Sequence, residues 1–222
     1  MTAYFTLNTV SEFLCFLISL FCLFRDTNGI WRSFMLFLLL TCLVEVAGIY
    51  IRHDLHKPNV ILYNIFLVVE CVVLNYFFYN LMHTGQLLKK GLIGWLLFFG
   101  LFFIGELTLK GFHAYVSATS TLLSVELIFA SVYFYYLLLK EEKPRALSRY
   151  ASFWWVNGTI CFYFAGIACN LFFDYMLQVK NSGAALSARY IVFSILNVIL
   201  YSSWSYSFIC RYRQRKSAFF SE

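Results

Sequence analysis

Hydrophobic residues run through this chain in seven long blocks, and polar side chains interrupt almost every block at helical spacing. The blocks cover residues 5–24, 31–51, 60–82, 91–109, 115–139, 151–173 and 187–209. A helix needs about 20 apolar residues to cross a hydrocarbon core of about 30 Å. The pattern therefore predicts an all-α membrane protein, a seven-transmembrane helix bundle forming one domain over 1–222. Pro58 and Pro144 both fall between blocks, so no span is broken by proline. That weighs against transporters built on discontinuous helices. Seven spans use the length, leaving no segment for a separate soluble catalytic or ligand-binding module.

Residues three and four apart share a helix face. The first block aligns Asn8, Glu12, Cys15, Ser19 and Cys22, and the second Thr41, Glu45, Gly48 and Arg52. The third offers Asn64, Cys71 and Asn75 on one face and Tyr63 with Glu70 on the next. The fifth aligns Ser117, Ser120, Ser124 and Ser131, with Glu126 off that stripe beside Thr119, Ala130 and Tyr133. The sixth carries Thr159, Tyr163, Gly166 and Asn170, and the seventh Tyr190, Ser194, Asn197, Tyr201 and Trp204. Polar groups are costly against lipid, so these faces are expected to turn into the bundle.

Glu12, Glu45, Glu70, Glu106 and Glu126 lie inside predicted spans, and no span interior contains Lys. At about 1.5 Å of rise per residue, Glu70, Glu126 and Asn197 fall near the midplane. Glu12 and Glu45 fall somewhat outward, and Glu106, Asn170 and Asp174 near the outer surface. The expected site is a ligand- or ion-binding cavity formed by Glu12, Glu45, Glu70, Glu126, Asn64, Asn75, Tyr163, Asn170, Asn197 and Tyr201, with Glu70 and Glu126 as its centre. Arg52 and Arg189 are the candidate cationic partners at its outer level. A single Glu bonded to Asn, Ser or Tyr serves equally well as structural glue. Five acids without a matching Lys exceed what packing asks for.

Composition supports the membrane reading: 61% of residues are hydrophobic and 13% charged, far from a soluble domain. The net charge of +6 resolves by topology. Of the 17 Lys and Arg, 12 sit on the side of the first, third and fifth connections and the C-terminus, including Lys89, Lys90, Lys143, Arg145, Arg149, Arg211 and Arg215. The positive-inside rule then places the N-terminus outside and the C-terminus in the cytoplasm. Trp31, Trp95, Trp154, Trp155 and Trp204 all fall near cytoplasmic ends, as an interfacial aromatic belt would. The first block lacks a basic n-region and a cleavage site, so it reads as a retained signal-anchor helix. The basic stretch Arg211–Lys216 reads as a tail that attracts anionic lipid or stops transfer.

Seven scattered Cys without paired spacing point to packing rather than to disulfides or zinc. His53, His56, His83 and His113 all lie outside the spans, which excludes axial ligation of a membrane haem. A divalent-metal site drawn through His53, Asp54, His56, Glu106 and His113 matches no ligand spacing. Nothing resembles a nucleophile elbow, a P-loop or a nucleic-acid module. No enzymatic activity, no cofactor and no metal are expected. Glu45-Val-Ala-Gly-Ile49 and Tyr163-Phe-Ala-Gly-Ile167 hint at a parallel repeat of the SWEET type, whose proline signature is missing.

Leu62-Tyr-Asn-Ile-Phe66 before Glu70, Phe153-Trp-Trp-Val-Asn-Gly158 leading to Phe162-Tyr-Phe-Ala-Gly166 and Asn170, and Asn197 with Tyr201 carry a resemblance. The chain resembles small uncharacterised seven-helix proteins of Bacteroidetes-type bacteria, which look like stand-alone membrane sensor modules of histidine kinases. The resemblance covers most of the chain and assigns no site residue. It implies a multi-pass protein of the bacterial inner membrane, a sensor signalling to a separate cytoplasmic or membrane partner. The lipid bilayer is the other partner, and nucleic acid is not expected. A small proton or cation transporter using intramembrane Glu is the alternative, and a subunit of a larger membrane complex the third.

Overall fold

The computed structural model describes residues 4–82, 86–140, 146–179 and 182–219; over 86–90, 172–179, 182–188 and 217–219 the helical backbone alone is described. His83, Lys143, Pro144, Arg145 and Lys180, and the side chains of Lys89, Lys90 and Asp174, lie outside the described residues. The described chain forms seven α-helices and one 3-10 turn, with no strand. They are α1 (Leu7–Leu23), α2 (Gly29–His53), α3 (Val60–Leu81), α4 (Gln86–Lys110), α5 (Ser117–Lys140), α6 (Ala151–Val179) and α7 (Ser182–Phe219), the turn being Leu147–Arg149. Among the described residues, five helical stretches are long and apolar enough to cross a membrane, in α2, α3, α4, α5 and α7; α1 is apolar but shorter.

Local chemistry sets the helix starts. Thr6 and Thr9 form a reciprocal capping box, each side-chain oxygen accepting from the other's backbone N–H, at 3.2 and 2.9 Å. Asn28 Oδ1 accepts from Ile30 N at the head of α2. The α4–α5 turn needs a left-handed residue, and Gly111 supplies it with φ of 80°. Glu106 reaches across that turn to the head of α5. Its carboxylate accepts from Ala118 N at 3.0 Å, from Thr119 N and Oγ1 at 2.7 Å each, and from Lys110 Nζ at 2.6 Å. All five of these groups belong to one capping arrangement, so Glu106 holds a turn rather than facing a cavity.

The helices pack in chain order into a ring closed by α7 against α1, with α3 touching α5 so that α4 lies outside that seam. Every helix turns large apolar side chains outward: Phe21, Leu36, Ile65, Leu101, Phe129, Phe164 and Ile191 are all more than half exposed. An apolar exterior on every element is what lipid, not water, accommodates. Inward, α6 and α7 meet most closely at Gly158, where a Cβ would lie 2.7 Å from Ser203 Cβ.

Three expectations change here. Three of the five tryptophans do not belong to a belt: Trp31, Trp155 and Trp204 are buried in the centre with Phe34, Phe77 and Phe208, while Trp95 and Trp154 are half-buried. Edge-on and offset ring contacts, 4.4 Å for Phe77–Trp155 and 4.9 Å for Trp31–Phe77, reward that burial. The serine stripe of α5 does not face inward as a set. Ser117 is exposed, and the buried line is Thr119, Leu123, Leu127 and Ser131. A serine hydroxyl bonded to its own helix, as Ser124 is to Ser120 O and Ser131 to Leu127 O, has no need of an interior partner. The basic stretch after Cys210 is not a tail but the continuation of α7. Arg211 and Arg215, one turn apart, both reach Asp26 in the α1–α2 connection.

Candidate functional site

Five helices supply carboxylates or their partners at one chamber of about 250 Å³ inside the ring. Glu12 on α1, Glu45 on α2 and Glu70 on α3 all line it. Each is held by a tyrosine from another helix. Tyr201 of α7 donates to Glu12 Oε1 at 3.2 Å, Tyr63 of α3 to Glu45 Oε2 at 2.9 Å, and Tyr163 of α6 to Glu70 Oε1 at 2.6 Å. One oxygen of each carboxylate is thus fixed by a phenol, and the pairs tie α1 to α7, α2 to α3 and α3 to α6. Glu12 is 7% exposed, and its Oε2 is buried with no hydrogen-bond partner among the described residues. Asn8 Oδ1, on the same wall, is likewise without one. Between the acids the wall is aromatic, with Phe37, Phe66, Phe162 and Trp204, and among the described residues no lysine or arginine lines it.

The chamber continues into a vestibule of about 580 Å³ at the N-terminal end of the bundle, the two cavities sharing Asn8, Glu45 and Tyr63. Arg52, His53 and His56 line this outer part. Tyr4 donates its hydroxyl to Asp54 beside it. That bond holds the Asp54 carboxyl below the usual carboxylate range and pushes the Tyr4 phenol up. His53 Nδ1 lies 3.5 Å from Asp54 Oδ1. Among the described residues no group of three His, Cys, Asp or Glu is placed to hold a metal.

At the opposite end of the chamber Trp204 closes the floor. Its indole N–H donates to Trp155 O and Thr159 Oγ1, each at 3.2 Å, and its ring stacks on Trp155 with centroids 5.7 Å apart. Phe34, Phe77 and Trp31 extend this layer toward the other end of the bundle. Arg211 lies over the Trp31 ring at 5.7 Å and donates to Asp26 through Nε and Nη2 at 2.9 and 3.3 Å. Burial alone would raise the Asp26 carboxyl. The Arg211 guanidinium, the Asn28 amide and Arg215 outweigh burial and hold it below the usual range.

Of the residues expected to form one cavity, Glu12, Glu45, Glu70, Asn197 and Tyr201 line the chamber, and Tyr163 braces Glu70. The rest are elsewhere. Asn64 is 2% exposed and fully engaged with the α4–α5 connection, donating to Ala114 O at 3.0 Å and accepting from Val116 N at 3.3 Å. Asn75 donates to Glu126 Oε2 at 3.2 Å, and both line a separate crevice of about 270 Å³ between α3, α4 and α5. Glu70 of α3 lines the chamber and Glu126 of α5 lines the crevice, so the two do not share a cavity. Asn170 accepts from Arg189 Nη2 at 2.9 Å, joining α6 to α7. Among the described residues no ion pair joins Arg52 or Arg189 to a glutamate of the helices, and the Arg189 partner seen there is the Asn170 amide.

Asn8, Thr41 and Tyr63, aligned on the polar faces but not among the residues expected to form the cavity, also line the wall, and Asp26, which no pattern singles out, anchors α7. Spacing puts the Tyr63 phenol about two turns before Glu70, but its hydroxyl turns to Glu45 on the neighbouring helix. Comparison with family models, with curated proteins and with solved structures finds no match to this chain.

Proposed function

We propose that the protein is a seven-span receptor-like module of a bacterial inner membrane that binds a small organic ammonium in the acidic aromatic chamber. Its N-terminus lies outside, and it signals to a separate partner at the C-terminal end. One observation carries this reading: three tyrosine-braced carboxylates converge on a chamber with aromatic walls and no cation of its own. An ammonium meets both requirements of such a wall. It pairs with desolvated carboxylates and lies favourably against aromatic faces. The braces leave each carboxylate pre-oriented, which lowers the ordering cost of binding. The unpartnered Glu12 Oε2 is the acceptor for its N–H.

The aromatic layer below the chamber supports a receptor rather than a pore. It fills the centre of the ring, and it is one packed column from Trp204 to Trp31 and Arg211. A ligand seated on Trp204 acts on that column directly. A transport reading rests on a different observation, the Asn75–Glu126 pair. Polar groups continue along α3 from Glu70 past Cys71 to the α3–α4–α5 crevice, and in that reading they form the proton path around the column.

Flux of protons and monovalent cations into proteoliposomes separates the two. The receptor reading predicts no flux above empty vesicles from folded protein. Flux abolished by both Glu70→Gln and Glu126→Gln would establish transport and sink the receptor reading.

A further inference from the structure

A second large cavity, of about 570 Å³, lies at the end of the bundle away from the vestibule. Its chemistry is the reverse of the chamber's. Among the described residues no carboxylate lines it, and its polar wall is Asn28, Asn80, Arg149, Ser152, Arg211 and Gln214. Ile30, Leu81 and Trp31 supply an apolar side. A volume of this size suits a small molecule or a headgroup.

The positive character has independent sources. Arg149 is exposed, and no ion pair ties its guanidinium to a carboxylate among the described residues. Its backbone is nonetheless fixed, since Gln214 Nε2 donates to Arg149 O at 2.9 Å. Arg211 gives Nε and Nη2 to Asp26, and Nη1 takes no part in that pair. Asp26 itself does not line the cavity and is occupied by Arg211, Arg215 and the Asn28 amide. Two helices also begin on this wall, α2 at Gly29 and α6 at Ala151, with Ile30, Trp31, Ala151 and Ser152 lining it. First-turn N–H groups have no acceptor within their helix and carry partial positive charge.

We infer that this cavity is a binding site for a phosphate-bearing anion, held by the guanidinium groups of Arg149 and Arg211, with the two helix starts at its back. A planar guanidinium pairs with phosphate oxygens two at a time, and helix starts favour the same charge. The phosphate belongs either to a lipid headgroup entering from the bilayer or to a soluble phosphate compound. The site is independent of what the acidic chamber binds.

The test uses the full chain in neutral maltoside micelles and two probes. Phosphatidylglycerol binding is read by native mass spectrometry against phosphatidylcholine, and inorganic pyrophosphate by calorimetry at constant ionic strength. One probe is expected to bind saturably, to weaken about ten-fold in Arg149→Gln, and to recover most of its affinity in Arg149→Lys. Binding of the lipid identifies the headgroup as the source, and binding of pyrophosphate a soluble ligand. Arg32→Gln removes an equal charge from an exposed position near the same end but outside the cavity, and is expected to leave binding unchanged. Equal weakening by Arg32→Gln and Arg149→Gln, or saturable binding of neither probe, overturns the proposal. Arg149 is exposed and makes no ion pair among the described residues, so its variants are expected to keep the wild-type thermal midpoint, which the same samples report.

Discussion

Replacing Asp26 by Asn removes the carboxylate that, among the described residues, faces both Arg211 and Arg215. Asp26 is 2% exposed and lies 2.9 Å from Arg211 Nε and 3.6 Å from Arg215 Nη1. Removing one partner of a buried ion pair costs about 3–5 kcal/mol, because the other charge stays behind without compensation. Here the guanidinium side chains are 27% and 25% exposed, so water recovers part of that loss. Asn also retains an acceptor for the Asn28 amide that Asp26 now holds at 2.8 Å. The expected destabilisation is therefore at the lower end, about 2–3 kcal/mol. Reversible unfolding in mixed micelles, wild type against Asp26→Asn, measures it. Adding Arg211→Gln is expected to return part of the loss, since the double variant no longer strands that cation. The sign of the pH dependence follows from the depressed carboxyl of Asp26. The pair's contribution is complete above the unfolded value of about 3.9 and is lost as pH falls through the lower folded value. Wild type should thus lose its advantage over Asp26→Asn only below about pH 4. A stability difference under about 0.5 kcal/mol at neutral pH would refute the claim that this pair anchors the last helix.

Two further substitutions test the packing that positions the chamber. Glu106→Ala should cost about 2–3 kcal/mol by uncapping α5 and leaving the Thr119 amide and hydroxyl without their acceptor, with faster hydrogen exchange at the Ala118 and Thr119 amides as its signature; unchanged exchange there would contradict the capping role. Gly158→Ala should cost about 1–3 kcal/mol, because its Cβ would meet Ser203 Cβ at 2.7 Å and Leu200 O at 3.3 Å, positions no rotamer change relieves. Adding Ser203→Gly should return most of the lost thermal midpoint.

Helix positions are legible where hydropathy and backbone end together. The block 60–82 corresponds to α3, Val60–Leu81, because Asn59 and Met82 mark both limits of the apolar run. The last helix is not legible in that way. Its hydropathy collapses at Arg211, yet the backbone continues to Phe219, since Arg211 and Arg215 find Asp26 rather than solvent. No local pattern reveals a partner 185 residues away. The candidate site divides similarly. Spacing places Glu12, Glu45 and Glu70 on polar helix faces, and all three line one wall. Which phenol braces which acid is a matter of helix neighbours, 189 residues apart for Glu12 and Tyr201 and 93 for Glu70 and Tyr163. Asn64, Asn75 and Glu126 have the same spacing signal as the chamber residues, but their side chains serve the α4–α5 connection and the crevice behind α3. A polar residue that is satisfied by a neighbouring backbone and one that awaits a ligand look alike in a sequence.

The central claim is that the chamber takes a cation on Glu12 and Glu70. Calorimetric titration of the purified chain with 2-phenylethylammonium, for wild type, Glu12→Gln and Glu70→Gln, tests it most directly. Saturable binding that either substitution weakens by about ten-fold or more, with the uncharged analogue 2-phenylethanol failing to bind, is the predicted result. Absent binding to folded protein, or affinity untouched by both substitutions, would contradict it.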